Sequence, residues 1–152
     1  MMRITPIAAA AAISLALAGG AWAHEVEQGK GQLGKVAFAN SCDATVQGEL
    51  QRAVAMLHSF WYSAGEKAFR HVLEDDPKCG VATFGIAAIL MSNPLSGAGA
   101  PPKNAESALV AIEQGRKVGA GTQRERDYIE AVAAYYADFA NKPERARQAA
   151  RA

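Results

Sequence analysis

Between residues 43 and 140 apolar positions recur at spacings of three and four, broken by short polar or glycine- and proline-rich stretches. That period lines apolar side chains along one helix face, so a succession of amphipathic helices is expected. The first begins near Asp43, a suitable N-cap, and carries Leu50, Ala53, Val54, Leu57 and Trp61 on its face. A second, over residues 64–75, carries Ala68, Phe69, Val72 and Leu73 and stops before Pro77, because a proline disfavours helical geometry in the residue before it. Residues 81–91 are apolar with several small side chains, which lets another helix approach closely. Residues 93–104 read as loop by composition. Helix resumes through Ala105, Leu109 and Ile112 and stops around Gly119. Thr122 with Glu125 forms a capping box that opens a helix through Tyr128, Ala131, Val132 and Tyr135. Asn141, Pro143 and Glu144 mark one more helix start, followed mainly by arginine and alanine. No strand-like alternation appears, and the expected fold is all-α.

The first 23 residues follow a different pattern. Arg3 precedes an apolar run over residues 7–18, and Ala21-Trp22-Ala23 supplies a small-x-small cleavage signal. This is the form of a secretory signal peptide cleaved after Ala23, and it implies a periplasmic or secreted protein. The apolar run is shorter than the roughly 20 residues a membrane-spanning helix needs, so no membrane insertion is expected. Residues 24–42 are polar and rich in glycine, an extended or mobile lead-in to a single domain over residues 43–152. Cleavage removes only Arg3 among charged residues, leaving basic side chains level with the 15 acidic ones. Such a balance offers nothing to attract nucleic acid. Cys42 and Cys79 both survive cleavage and do not form a CxxC motif. A structural disulfide is expected in an oxidising compartment, with two unpaired thiols as the alternative.

The helices also repeat. A shift of 34 residues brings Leu50 onto Phe84, Ala53 onto Ala87, Val54 onto Ala88 and Leu57 onto Met91. A further shift of 44 reaches Tyr128, Ala131, Val132 and Tyr135, so one alanine recurs in all three copies. The helix that follows the first copy carries Gly65 and Phe69 in a small-x3-aromatic pattern, with Pro77 eight residues after the aromatic. With this period and these positions the chain resembles the tetratricopeptide repeat family, whose unit is a helix-turn-helix of about 34 residues. It is similar to the N-terminal part of longer exported proteins of that kind.

The resemblance implies antiparallel helical hairpins stacked as a short right-handed solenoid of about two and a half repeats. It implies that the starts of the first helices of neighbouring repeats lie close together, where Cys42 and Cys79 could bridge them. It also implies a concave groove, drawn from the first helices and lined by Gln47, Leu50, Val54, Leu57, His58, Phe84, Met91, Tyr128 and Tyr135. The expected occupant is a protein or peptide partner. Self-association through the C-terminal helix, whose last face lacks a cap, is a further expectation.

Little in the chain argues for chemistry. No nucleophile elbow, HExxH, phosphate-binding loop or Cys/His ligand cluster is present, so no catalytic residue, cofactor or metal is assigned. His71 stands one turn before Asp75, where a solvated or paired imidazole is expected. Glu74, Asp75 and Asp76 close a helix and need no further role. His58 falls on the groove side near the end of its helix. An alternative reading therefore makes the chain a fragment or accessory subunit of an exported enzyme, with His58 and a carboxylate as acid and base.

Overall fold

A computed structural model describes residues 33–152; the expected signal peptide, its cleavage site and the first part of the lead-in lie outside that range. Among the described residues there are six α-helices and no strand: α1 (Gln47–His58), α2 (Tyr62–Asp75), α3 (Val81–Leu90), α4 (Pro102–Val118), α5 (Gln123–Tyr136) and α6 (Glu144–Ala150). Single 3-10 turns at Ala44–Val46 and Pro94–Ser96 precede α1 and α4. Each helix packs on the next along the chain, and in addition α1 touches α3 and α3 touches α5.

The composition of α3 explains its place at the centre. Val81, Ala82, Thr83, Gly85, Ile86, Ala87, Ile89 and Leu90 are all buried, and a helix apolar on every side has to be surrounded. Only Phe84 and Ala88, one turn apart, are half-buried. The neighbours approach closely because α3 carries little bulk on the side facing α2. A Cβ added to Gly85 would lie 2.3 Å from the Phe69 ring of α2. At the start of α3, a Cβ on Gly80 would lie 1.8 Å from the Gly119 carbonyl oxygen at the end of α4.

Local signals set most of the boundaries. Asp43 accepts from the Thr45 amide at 2.9 Å and starts the first turn. Helix α2 ends at Asp75, just short of Pro77, and α4 ends where Gly119 turns to φ 79. The capping box of Thr122 and Glu125 opens α5. In the turn between α1 and α2 Phe60 is 52% exposed, and Trp61, expected on the apolar face of the first helix, is 38% exposed, while Tyr62 is half-buried. Leu109, expected on the packed face of α4, is 43% exposed; Ala105 and Ile112, also expected there, are buried with Ala108, Ala111 and Gly115.

Helix α6 has almost no apolar stripe, and polar contacts dock it. The Tyr135 hydroxyl donates to Glu144 at 2.7 Å and accepts from the Ala100 amide at 3.2 Å. Arg147, 8% exposed, pairs with Glu144 at 2.8 Å and donates to the carbonyls of Phe139 and Lys142. Its guanidinium lies 4.2 Å from the Phe139 ring centroid. Nearby, the Tyr136 hydroxyl donates to the Ala87 carbonyl at 2.9 Å, tying α5 to α3.

Cys42 and Cys79 form a disulfide that closes a loop with a sequence separation of 37, joining the approach to α1 to the approach to α3. Replacing both with alanine is expected to lower unfolding free energy by about 2–4 kcal/mol in urea titration. Gly85→Ala, which drives a methyl group into Phe69, is expected to cost about 1–3 kcal/mol by the same measurement.

Candidate functional site

An open cleft of about 280 Å³ lies where α1, α3 and α6 meet. Leu57 and His58 from the end of α1 form one wall, with Phe60 from the turn beyond it and Tyr62 from the start of α2. Phe84 and Ala88 of α3 and Met91 just past its end line it too, and Gln148 of α6 and Arg151 just past its end border it with Ser92 and Pro94. The two half-buried residues of α3 are thus those that face this cleft. A second depression of about 410 Å³ shares Phe84 and Arg151 with the first and continues along Arg124, Asp127 and Tyr128 of α5.

The described part of the lead-in, residues 33–42, has no helix or strand and lies against the helices. Leu33 and Val36 pack on the core and border α1 at Gly48, Gln51, Arg52 and Ala55. The Phe38 ring sits 5.6 Å from that of Tyr128, which in turn sits 5.0 Å from Phe84, so an aromatic row runs from the lead-in to the cleft. Asn40 and Gln47 exchange side-chain hydrogen bonds at 2.7 and 2.8 Å, and Gln47 also donates to the Cys42 carbonyl at 2.9 Å.

Ser41 makes the longest reach. Both its amide and its hydroxyl donate to the Glu125 carboxylate, and its hydroxyl accepts from the Gly121 amide at 3.0 Å. Glu125 also accepts from the Thr122 amide at 3.0 Å and is 1% exposed. Burial pushes its carboxyl pKa up, but the bonds from Ser41 and Thr122 together outweigh that and hold it below the ordinary value. Sequence reasoning found Glu125 only as half of a capping box, a role that already accounts for it locally; nothing in the sequence points to Ser41 as its partner.

The residues expected to line a groove divide into two sets. Leu57, His58, Phe84 and Met91 border the open cleft, and Tyr128 lines the depression beside it. Leu50, Val54 and Tyr135 are buried, and Gln47 is engaged with the lead-in. Phe60, Tyr62, Ala88, Ser92, Pro94, Gln148 and Arg151 complete the cleft without having been expected there. Ala88 had a signal, since the repeat register aligns it with Val54; α6 had none, because its position depends on polar contacts made after folding.

The cleft offers no acid–base pair. Among the described residues no aspartate or glutamate borders it, and the His58 side chain has no hydrogen-bond or ion-pair partner. His71 lies elsewhere, with Glu49 at 3.2 Å and Asp75 at 3.6 Å. Asp76 approaches Cys42 and Cys79, but the two sulfurs are bonded to each other and the carboxylate accepts from the Asp43 and Lys78 amides. Comparison with protein-family models, curated proteins and solved structures finds no match.

The depressed pKa of Glu125 fixes a sign. A carboxyl whose folded pKa lies below its unfolded value stabilises the fold above the unfolded pKa, and that contribution disappears as pH falls through the folded one. Glu125→Gln is expected to cost about 1–3 kcal/mol at pH 7. Urea titrations from pH 7 down to pH 3 are expected to show the difference between wild type and variant shrinking below about pH 4.3; a constant difference would refute the assignment.

Proposed function

We propose that this chain is an exported, tetratricopeptide-like scaffold that binds an extended segment of a protein partner in the cleft between α1, α3 and α6, with no chemistry of its own. The order of packing supports the class: α1 and α3 each touch both their own hairpin partner and the first helix of the next pair. That order suits a right-handed solenoid of about two and a half repeats. The disulfide is compatible with an oxidising compartment and supports reading residues 1–23 as an export signal to the periplasm or beyond.

The observation that carries the binding assignment is the lead-in. A non-helical stretch of this chain already lies across α1 and reaches α5, with Phe38 against Tyr128. The surface beside it, floored by Phe84 and Ala88, has the same apolar and aromatic character and stays open. A helical array that accommodates one such segment presents suitable ground for a second.

Selection from a random nonapeptide display library tests this. Selected peptides are expected to bind wild type and to lose about tenfold or more in affinity for Ala88→Arg, a change of roughly 1.4 kcal/mol, with helical content unchanged by circular dichroism. Peptides indifferent to Ala88→Arg, or no selectable peptide at all, would sink the reading.

A further inference from the structure

Residues 33–42 are held to the helices at few points. None of them is fully buried, and from Val36 to Cys42 half-buried and exposed positions alternate, as in an extended chain lying on a surface. Among the described residues no backbone–backbone hydrogen bond joins this segment to a helix. Its attachment consists of the packing of Leu33, Val36 and Phe38, the hydrogen bonds of Gln47 with Asn40 and the Cys42 carbonyl, the disulfide, and the bonds between Ser41 and Glu125. A segment with so few buried contacts opens at a lower free energy than the helical core beneath it.

Of these attachments only the contact with Glu125 carries a charge. One carboxylate oxygen accepts from the Ser41 amide, and the other accepts from the Ser41 hydroxyl at 2.7 Å and the Thr122 amide at 3.0 Å. A proton on this carboxyl removes the charge from all three bonds, and charge-assisted bonds are about twice as strong as neutral ones. The added proton also needs an acceptor. The Ser41 and Thr122 amides offer none, so the Ser41 hydroxyl would have to turn from donor to acceptor while still receiving the Gly121 amide, and its own proton would lose the carboxylate.

The charged groups nearby are engaged elsewhere. On α5, Arg126 donates to the Ala120 carbonyl and to Gln123, Arg124 to the Tyr128 hydroxyl, and Asp127 accepts from Gln123. At the end of α4, Arg116 pairs with Glu113 and Glu130, and Lys117 is exposed. Helix α3 has no charged residue, and Lys35 on the lead-in is exposed. Asp43 accepts from Thr45, and Asp76 from the Asp43 and Lys78 amides. Burial and the bonds from Ser41 and Thr122 are what act on the Glu125 carboxyl, with the bonds prevailing. Its pKa is therefore below the ordinary value while the lead-in is docked, so docking is at full strength above about pH 4.3 and weakens as pH falls below it. Loosening stops at Cys42, which is covalently fixed.

We propose that the lead-in is a strap released by acid: when Glu125 takes up a proton, residues 33–41 leave the helices while Cys42 stays bonded to Cys79 and the helices stay packed. Release bares the Glu125 carboxyl and the face of Tyr128 that Phe38 covers, and it does so whether or not the cleft takes a partner. Nuclear Overhauser contacts between aromatic rings, followed from about pH 7 to about pH 3, test it. The Phe38 to Tyr128 contact is expected to fade below about pH 4.3 while the Phe84 to Tyr128 contact persists. Glu125→Gln, fixed in the neutral form, is expected to show a severalfold weaker Phe38 to Tyr128 contact already at neutral pH, with no further change on acidification. Ser41→Ala keeps the amide bond and removes the hydroxyl, and its contact is expected to fade at a higher pH than in wild type. Asp76→Asn is expected to follow the wild-type course. Persistence of the Phe38 to Tyr128 contact through the acid range, loss of both ring contacts together, a Glu125→Gln protein that behaves as wild type, or a course moved by Asp76→Asn and not by Ser41→Ala would each overturn the strap.

Discussion

The bond between Cys42 and Cys79 sets where α1 begins relative to α3, and the cleft inherits its geometry from that placement. Around it the chain ties together two helix starts and one helix end within a few residues. Ser41 reaches Glu125 at the start of α5, Cys42 is fixed beside α3, and the Asp43 amide donates to Asp76 at 2.8 Å beyond the end of α2. A covalent closure limits the unfolded ensemble, while the buried carboxylate makes the neighbouring contact specific, since Glu125 can stay ionised there only with its donors in place. The lead-in cannot shift along α1 without breaking both.

From that fixed end the helices are aligned by shape rather than by directional bonds. An α3 that is apolar all round needs cover on every side, and the glycines at 80 and 85 let α4 and α2 supply it at close range. At the far end the balance reverses. Helix α6 brings Glu144 and Arg147 instead of leucines, and its attachment relies on Tyr135, two backbone carbonyls and a ring face. One border of the cleft is therefore a tightly packed apolar helix, and another is held by a polar network.

This asymmetry gives the cleft its chemistry. The centre of the fold contributes Phe84 and Ala88, which face outward only because their side of α3 is left uncovered. The turn after α1 contributes the exposed Phe60 ring and the start of α2 the half-buried Tyr62, and Gln148 of α6 with Arg151 just beyond it contributes donors. Among the described residues, no part of the border contributes a carboxylate.

The residue pattern by itself determined the all-α class, most helix boundaries, the Thr122 and Glu125 cap and the three-fold recurrence of Ala53, Ala87 and Ala131. These are local or periodic properties, legible because helix geometry repeats every few residues. Leu57, His58, Phe84, Met91 and Tyr128, expected in a groove from the repeat register, border the cleft or the depression beside it. Only the tertiary structure decided that Leu50, Val54 and Tyr135, equivalent by period, are buried, since periodicity identifies a face but not what covers it. Only the tertiary structure brought Ser41 to Glu125, Phe38 to Tyr128, and α6 to the cleft. Those contacts join residues far apart in the chain through single polar or aromatic pairs, and such pairs leave no periodic trace in sequence.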